Sequence, residues 1–324
     1  MESNSGVVEV FREELLLFCY RMGGSLREAE DLVEETLAKA GGAALPDDTD
    51  RARARLFGTA ARLCMRALTD RPARVLPRLA NPPGDPRLPP LPGEEGRQWL
   101  EPFPDDLYRQ AAPGGERRYG ERESVSLYFT ASLQSLRPDE RICIILGDVM
   151  GWSVESLTRV LDGGAAEARA VLEEARASMS RTYDGAMGTR EPPADNAAAE
   201  FLMRYLFAWE SGDAVALMER LSEDVVLQLP PSPSWYAGRD AVEEHLAAGM
   251  LAGAARGRWR LLPRRANGQL AFGVYQRDEE RRVFRAHSIQ VLHFAGELVA
   301  EIVSFGYPWL FPIFQLLPEV VVQG

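Results

Sequence analysis

The sequence predicts an α+β protein in two parts. An all-helical N-terminal region of two helical subdomains ends in a helix-turn-helix, and a C-terminal α+β domain with a curved antiparallel sheet follows. Three observations predict it. Apolar residues recur at helical spacing from residue 7 to about residue 180, with a proline-rich interruption. Beyond about residue 220 the pattern becomes short alternating apolar runs separated by turn residues. At 324 residues the chain is long enough for more than one core.

Residues 7–40, VVEVFREELLLFCYRMGGSLREAEDLVEETLAKA, form two helices joined at Gly23-Gly24-Ser25. Leu15, Leu16, Phe18, Cys19 and Met22 give the first its apolar face, and Ser25 with Glu28 makes a capping box for the second. A helix over about 51–69 sets arginines against Leu56, Phe57, Leu63 and Leu68. Residues 72–105 are rich in proline and read as an extended segment packed in part through Trp99 and Phe103. Helices resume over 121–135 and 138–150. They lead into MGWSVESLTRVLDGGAAEARAVLEEARASM at 150–179, a helix-turn-helix in which Ser153 caps the first helix and Asp162-Gly163-Gly164 makes the turn. The second helix of this pair carries Glu167, Glu173 and Glu174, an unusual choice for a helix meant to meet phosphates.

A second linker, TREPPADNAA at 189–198, is the best domain boundary. Beyond it a long amphipathic helix covers 197–221 with Phe201, Tyr205, Phe207 and Trp209. A strand at 225–229, the loop PPSPSWYAG and a helix at 239–253 come next. Four strand-like runs follow, GRWRLLP, QLAFGVYQ, RVFRAHSIQVLHF and LVAEIVSF, with turns at Ala266-Asn267-Gly268 and Ala295-Gly296-Glu297. The closing GYPWLFPIFQLLPE is too apolar to be a free end and must pack on something.

Charge narrows the partners. The chain carries a net −11, and both parts are acidic: 25 basic against 31 acidic side chains over 1–190, and 12 against 17 over 191–324. Nucleic-acid binding rests on phosphate neutralisation, so neither part is a basic module. Cys19, Cys64 and Cys143 lie in apolar helical contexts without metal-ligand spacing, and no cofactor or metal is expected. No apolar run approaches a membrane span and the N-terminus lacks signal-peptide character, so a cytoplasmic protein is expected.

The order of elements resembles the extracytoplasmic-function sigma factors that carry a C-terminal SnoaL-like (nuclear-transport-factor-type) domain. The resemblance rests on FCYRMGGSLREAEDLVEETL, WLEPFPDDL, ERESVSLYFTASLQSLRPDERICIILGDVMGWS, LPPSPSWYAGRDAV, RANGQLAFGVYQ and LFPIFQLLPE. It implies a region-two-like helical domain over 1–80, a proline-rich linker over 81–118, a region-four-like helix-turn-helix domain over 119–188 and a SnoaL-like cone over 195–324. Several contact motifs of that family are altered. Glu34 stands in Ala29-Glu30-Asp31-Leu32-Val33-Glu34-Glu35-Thr36 where the family has glutamine on its polymerase clamp helix. The melting helix reads RLFGTAARLCM, and the recognition helix has Ala168-Arg169-Ala170 and Glu173-Glu174-Ala175-Arg176 in place of Val-Asn-Ser and Gln-Arg-Ala-Arg.

These changes favour a sigma-factor-like scaffold repurposed as a cofactor-independent cyclase, including a cycloaddition catalyst, in polyketide natural-product biosynthesis. The alternative is a functional sigma factor that binds core RNA polymerase and promoter DNA, with Arg169 and Arg176 toward DNA and the SnoaL-like domain as regulator. In the first reading an apolar small-molecule substrate sits in a pocket walled by Tyr205, Trp209, Trp235, Tyr236, Met250, Trp259, Phe272, Tyr275, Gln290 and Trp309, with His287 or Glu301 as the candidate acid/base where the closure needs one; a cycloaddition needs no titrating residue. Strict alternation puts His287, Ile289, Val291 and His293 on one strand face and Ser288, Gln290 and Leu292 on the other. Either set could face the interior. A homodimer is left open by the sequence.

Overall fold

The computed structural model describes residues 2–41, 46, 48–107, 117–161, 163–183, 195–252 and 255–321. The chain divides into two compact units, Met1–Arg74 with Asp105–Thr189, and Val75–Pro104 with Arg190–Gly324.

The first unit is helical. Helices α1 (Glu2–Gly23), α2 (Leu26–Gly41) and α3 (Thr49–Leu68) form its first half. Gly24 makes the turn between α1 and α2 at φ +69, a left-handed conformation that suits glycine. Ser25 Oγ accepts from the Glu28 N–H at 3.3 Å, and Asp48 caps α3 by accepting from the Arg51 N–H at 2.8 Å. Phe18 meets Phe57 edge to face with ring centroids 5.4 Å apart.

The second half holds α4 (Glu121–Val125), α5 (Leu127–Gln134), α6 (Pro138–Ile142, running on as a π-helix Cys143–Val149), α7 (Val154–Leu157) and α8 (Ala165–Thr182). The single helix expected over 121–135 is broken at Ser126, whose Oγ caps α5 by accepting from the Phe129 N–H at 3.2 Å.

The two halves are joined by buried polar groups at the C-terminal end of α1, where backbone carbonyls lack helical donors. Arg141 donates to the Met22 carbonyl at 2.7 Å and to Gln134 Oε1 at 2.9 Å, and Gln134 Nε2 donates to the Arg21 carbonyl at 3.1 Å. Arg21 in turn donates to the Ser124 carbonyl and hydroxyl at 2.9 and 2.8 Å.

The second unit is built on a seven-stranded sheet: β1 (Leu221–Gln228), β2 (Trp235–Ala237), β3 (Trp259–Ala266), β4 (Gln269–Asp278), β5 (Val283–Ala295), β6 (Leu298–Phe305) and β7 (Glu319–Val321). The order is β2-β1-β6-β5-β4-β3, with β7 pairing the N-terminal end of β5. All pairs are antiparallel except β1 with β6, which corrects the expectation of a purely antiparallel sheet. The helix expected over 197–221 is two, α9 (Asp195–Ser211) and α10 (Ala214–Met218). Gly212 at φ +71 breaks it, and Asp213 caps α10 by accepting from the Ala216 N–H at 3.0 Å. Helix α11 (Arg239–Ala248) precedes β3.

The inner face of the sheet buries Leu227, Trp259, Leu261, Phe272, Val274, Leu292, Phe294 and Ile302 with Phe201, Tyr205 and Trp209 of α9. The outer face is covered by the C-terminal tail. Arg264 donates to the Phe314 and Gln315 carbonyls at 2.8 and 2.9 Å, and the Tyr275 hydroxyl donates to the Leu317 carbonyl at 2.9 Å. The tail lies so close over Gly273 that an added Cβ would sit 2.3 Å from Leu316 Cδ1 and 3.4 Å from Phe311 Cε1.

Residues 75–104 lie on the same unit. Their ends meet where the Leu100 N–H donates to the Val75 carbonyl at 3.1 Å, so the segment is a closed strap. The Arg78 N–H donates to Gln228 Oε1 at 2.8 Å, the Leu91 N–H to Ser234 Oγ at 2.9 Å, and Trp99 Nε1 to the Pro231 carbonyl at 2.9 Å. Trp235 Nε1 donates back to the Asn81 carbonyl at 2.8 Å. Asn267 clasps the end of the strap: its Oδ1 accepts from the Phe103 N–H and its own N–H donates to the Phe103 carbonyl, both at 2.9 Å. Residues 81–104 of the expected linker therefore form this strap, and 108–116 lie outside the described residues.

Replacing Gly273 by valine puts a branched side chain under the tail. It should destabilise the chain by about 1–3 kcal/mol through overpacking, with alanine milder because Leu316 can swing. Denaturant unfolding of the two variants checks this.

Candidate functional site

The interior of the cone brings together seven of the residues expected there. Tyr205 stacks on Phe272 at 5.2 Å between centroids and lies 6.3 Å from Trp209, which in turn meets Trp259 at 6.3 Å. The Tyr205 hydroxyl donates to Gln290 Oε1 at 3.1 Å, and Trp259 Nε1 donates to the Met250 carbonyl at 2.6 Å. His287 stands edge-on to Trp259 at 5.1 Å. Burial pushes the Tyr205 phenol above its ordinary value and holds His287 below its own. These rings pack against one another, and Tyr205, Trp209, Trp259 and Phe272 are all buried.

The strand face left open by the sequence is settled by a bulge. The β4–β5 register shifts between Val274 and Tyr275, so that Val274 pairs Ser288 and Tyr275 pairs Ala286, leaving His287 as the extra residue. Strict alternation through His287 therefore fails. Gln290, Leu292 and Phe294 face inward, and His287 reaches the interior tryptophan as well. Ser288 and Ser304 continue the polar line: Ser304 Oγ donates to Ser288 Oγ at 3.0 Å, and His287 Nδ1 lies 3.3 Å from the same Ser288 oxygen.

Glu301 is not beside His287. It pairs His293 across β5 and β6, accepts from Gln228 Nε2 at 2.8 Å, and lies 3.3 Å from His293 Nδ1, on the outer side of the sheet. Of the two candidate acid/base residues, only His287 therefore lies by the interior rings. Other expected pocket residues are also elsewhere. Tyr275 lies under the tail, 4.9 Å from Phe311, with burial raising its phenol to about 12. Trp235 is held by the strap. Trp309 sits in the tail beside Tyr307 at 5.9 Å. Tyr236 belongs to the inner core but stacks on His245 at 4.1 Å, away from the Tyr205 group's ring contacts. A cleft of about 550 Å³ opens at the outer end of β4 and β5, lined by Gln276, Arg277, Asp278, Arg285, Pro308 and Glu319 among others. Sequence reasoning missed it because strand β7 closes its edge from far along the chain.

In the helix-turn-helix, Ser153 Oγ accepts from the Ser156 N–H at 3.2 Å as expected, whereas Asp162 lies outside the described residues. Three charged groups have structural partners. Glu167 reaches back to accept from the Gly164 N–H at 2.9 Å, supplying a cap where the turn lacks a hydroxyl. Glu174 lies 3.4 Å from Arg137. Arg176, expected to face DNA, is held by the buried Asp148 carboxylate through Nη2 at 2.5 Å and Nε at 3.0 Å. Arg169 is exposed on α8.

The model of the SnoaL-like domain matches residues 202–302. Over 318 residues the chain is 34% identical to the ECF RNA polymerase sigma factor SigG of Mycobacterium tuberculosis, in strains CDC 1551 and H37Rv alike, covering 96% of this chain and 83% of the relative. The chain belongs to the extracytoplasmic-function RNA polymerase sigma factors. Its fold is also that of the sigma factor SigJ of the same species, whose crystal structure superposes with a TM-score of 0.59 at 20% identity over 95% of this chain and 98% of that one.

Two measurements test these assignments. Arg176→Ala leaves the buried Asp148 without its bidentate donor and should cost about 1–3 kcal/mol in unfolding experiments. Arg169→Ala should stay within about 0.5 kcal/mol of the parent. Burial also holds both His245 and His287 below their ordinary value of 6.5. The unfolded chain therefore binds their protons first, and stability should fall as pH drops below about 6.5 and level off above it. Thermal melts of His287→Gln between pH 5 and 8 should show a shallower acid-side slope than the parent.

Proposed function

We propose that this chain is a working sigma factor: it binds core RNA polymerase, directs it to promoters, and is regulated by its SnoaL-like domain. The observation that carries the reading is the similarity to SigG, which runs through both helical halves, the strap and the cone. Promoter recognition falls to the helix-turn-helix, with Arg169 as an exposed donor near the start of α8. The altered residues that suggested lost DNA contact weigh less once their partners are known, since Glu167 caps its own helix and Glu174 sits by Arg137. Polymerase works in the cytoplasm, and that is where this reading puts the chain. Among the described residues, no helix is long and apolar enough to cross a membrane.

The regulatory part of the proposal rests on the strap. A free segment of 30 residues would have a root-mean-square span of roughly 30 Å. Docked with its ends together, it joins the two helical halves through a much shorter effective tether, which favours their association. The SnoaL-like domain thus controls how far the halves can part.

The test is co-elution with bacterial core RNA polymerase at moderate salt, beside an established sigma factor. Binding is expected, and failure beside a working control would sink the reading. Arg169→Glu should keep polymerase binding while lowering promoter-dependent transcription about tenfold or more.

A further inference from the structure

Residues 78–84 of the strap meet the second unit at a few fixed points, and one of these is governed by a buried charge. Gln228, fully buried at the end of β1, sits between two groups of opposite hydrogen-bonding character. Its Oε1 accepts from the Arg78 N–H of the strap at 2.8 Å, and its Nε2 donates to Glu301 Oε1 at 2.8 Å. A backbone N–H only donates and an ionised carboxylate only accepts, so the amide between them has one satisfying orientation. Glu301 itself is 3% exposed on β6, and its Oε2 faces His293 Nδ1 at 3.3 Å.

Turned the other way, the Gln228 amide would set its NH2 against the Arg78 N–H, donor to donor. That arrangement is costly, because the buried amide has no water to turn to. The carboxylate also faces the strap directly, with Arg78 Nη1 at 3.9 Å from Glu301 Oε1. At that distance, and with the Arg78 side chain 38% exposed, the pair is weak, so Glu301 acts on the strap through Gln228. Trp235, the cross-strand partner of Gln228, holds the residues that follow. Its Nε1 donates to the Asn81 carbonyl and its carbonyl accepts from the Gly84 N–H, each at 2.8 Å. Gln228 differs from these anchors in that a buried ionisable group decides which end of it the strap meets.

We infer that Glu301 is the positioning residue of a latch: its charge holds the Gln228 amide in the orientation that accepts the strap, and so fixes the strap's first turn on β1. The latch is a property of the second unit alone. Only its consequence rests on the regulatory reading above, in which releasing this turn lengthens the tether between the helical halves.

Amide hydrogen exchange of the full chain, followed by mass spectrometry on fragments covering residues 76–84, reads the latch without polymerase. Gln228→Leu removes the acceptor. Glu301→Gln keeps size and burial but offers Gln228 either end of an amide. In each variant the Arg78 N–H should exchange at least about tenfold faster than in the parent, while amides of β4 and β5 keep their parent rates. The double variant should match Gln228→Leu alone, because Glu301 acts through Gln228. Leu88→Ser, at an exposed leucine of the strap, should leave the Arg78 rate unchanged. Parent-like exchange in Glu301→Gln, equal acceleration of the sheet amides, or further acceleration in the double variant would each overturn the latch. Should Gln228→Leu fail to fold, Glu301→Gln against the parent decides. The latch and the sigma-factor reading fail separately, since a chain that never binds polymerase still shows or lacks the change at Arg78.

Discussion

The sheet of the second unit has two apolar faces to cover and helices for only one. Helices α9 to α11 serve the inner face, where Tyr205 and Trp209 meet Phe272 and Trp259. The outer face presents Ile289 and Val291 among other apolar side chains, all buried. Leaving it open would expose side chains worth on the order of 1.5–3 kcal/mol each. Two stretches without long regular structure do the covering. The tail lays Leu310, Phe311, Phe314 and Leu316 down as buried residues, and the strap brings its backbone onto β1 and β2. Several otherwise odd residues follow from this demand. Gly273 gives the tail room, Arg264 satisfies its carbonyls, and Asn267 terminates the strap.

Because the strap is structural for the cone, it cannot also be a passive tether. Its prolines shorten the list of conformations it must give up on docking. Its hydrogen bonds go to fixed points, among them Gln228, Pro231, Ser234 and Asn267. In the proposed function, anything that loosens the cone also lengthens the tether between the helical halves. In that proposal, stability of the cone and freedom of the helical halves are a single coupled quantity.

What was legible in the sequence was what local chemistry decides. The Gly23-Gly24-Ser25 turn, the Ser153 cap and the strands from β3 to β6 each depend on a few neighbouring residues. The need to pack the apolar tail was legible too, although not the face it would find. Misplaced residues share a different cause. Glu301 and His287 were separated by register and by a bulge, which depend on how β4 and β5 align rather than on either strand alone. Arg176 is claimed by Asp148, 28 positions earlier in the chain. Gly212 ended a helix that periodicity would have continued by turning to φ +71, at a point where the backbone of Ala255–Arg256 would lie 3.0 Å from an added Cβ.

Helix α8 carries Glu167, Glu173 and Glu174 and reads as acidic from its sequence. A net charge counts every carboxylate as though it faced the same partner, and here they do not. Asp148 is buried against Arg176, and Glu167 is absorbed by the start of its own helix, where the dipole favours an anion. Glu174 has only the loose company of an exposed arginine, and such pairs are weak. Glu173 remains exposed on the same helix as Arg169. The helix is therefore less repulsive to phosphates than its sequence suggests, but it is not attractive on its own. A chain of −11 gains little from counterion release. In the sigma-factor reading, affinity for DNA must come chiefly from the polymerase complex, leaving this helix to contribute position and choice of site.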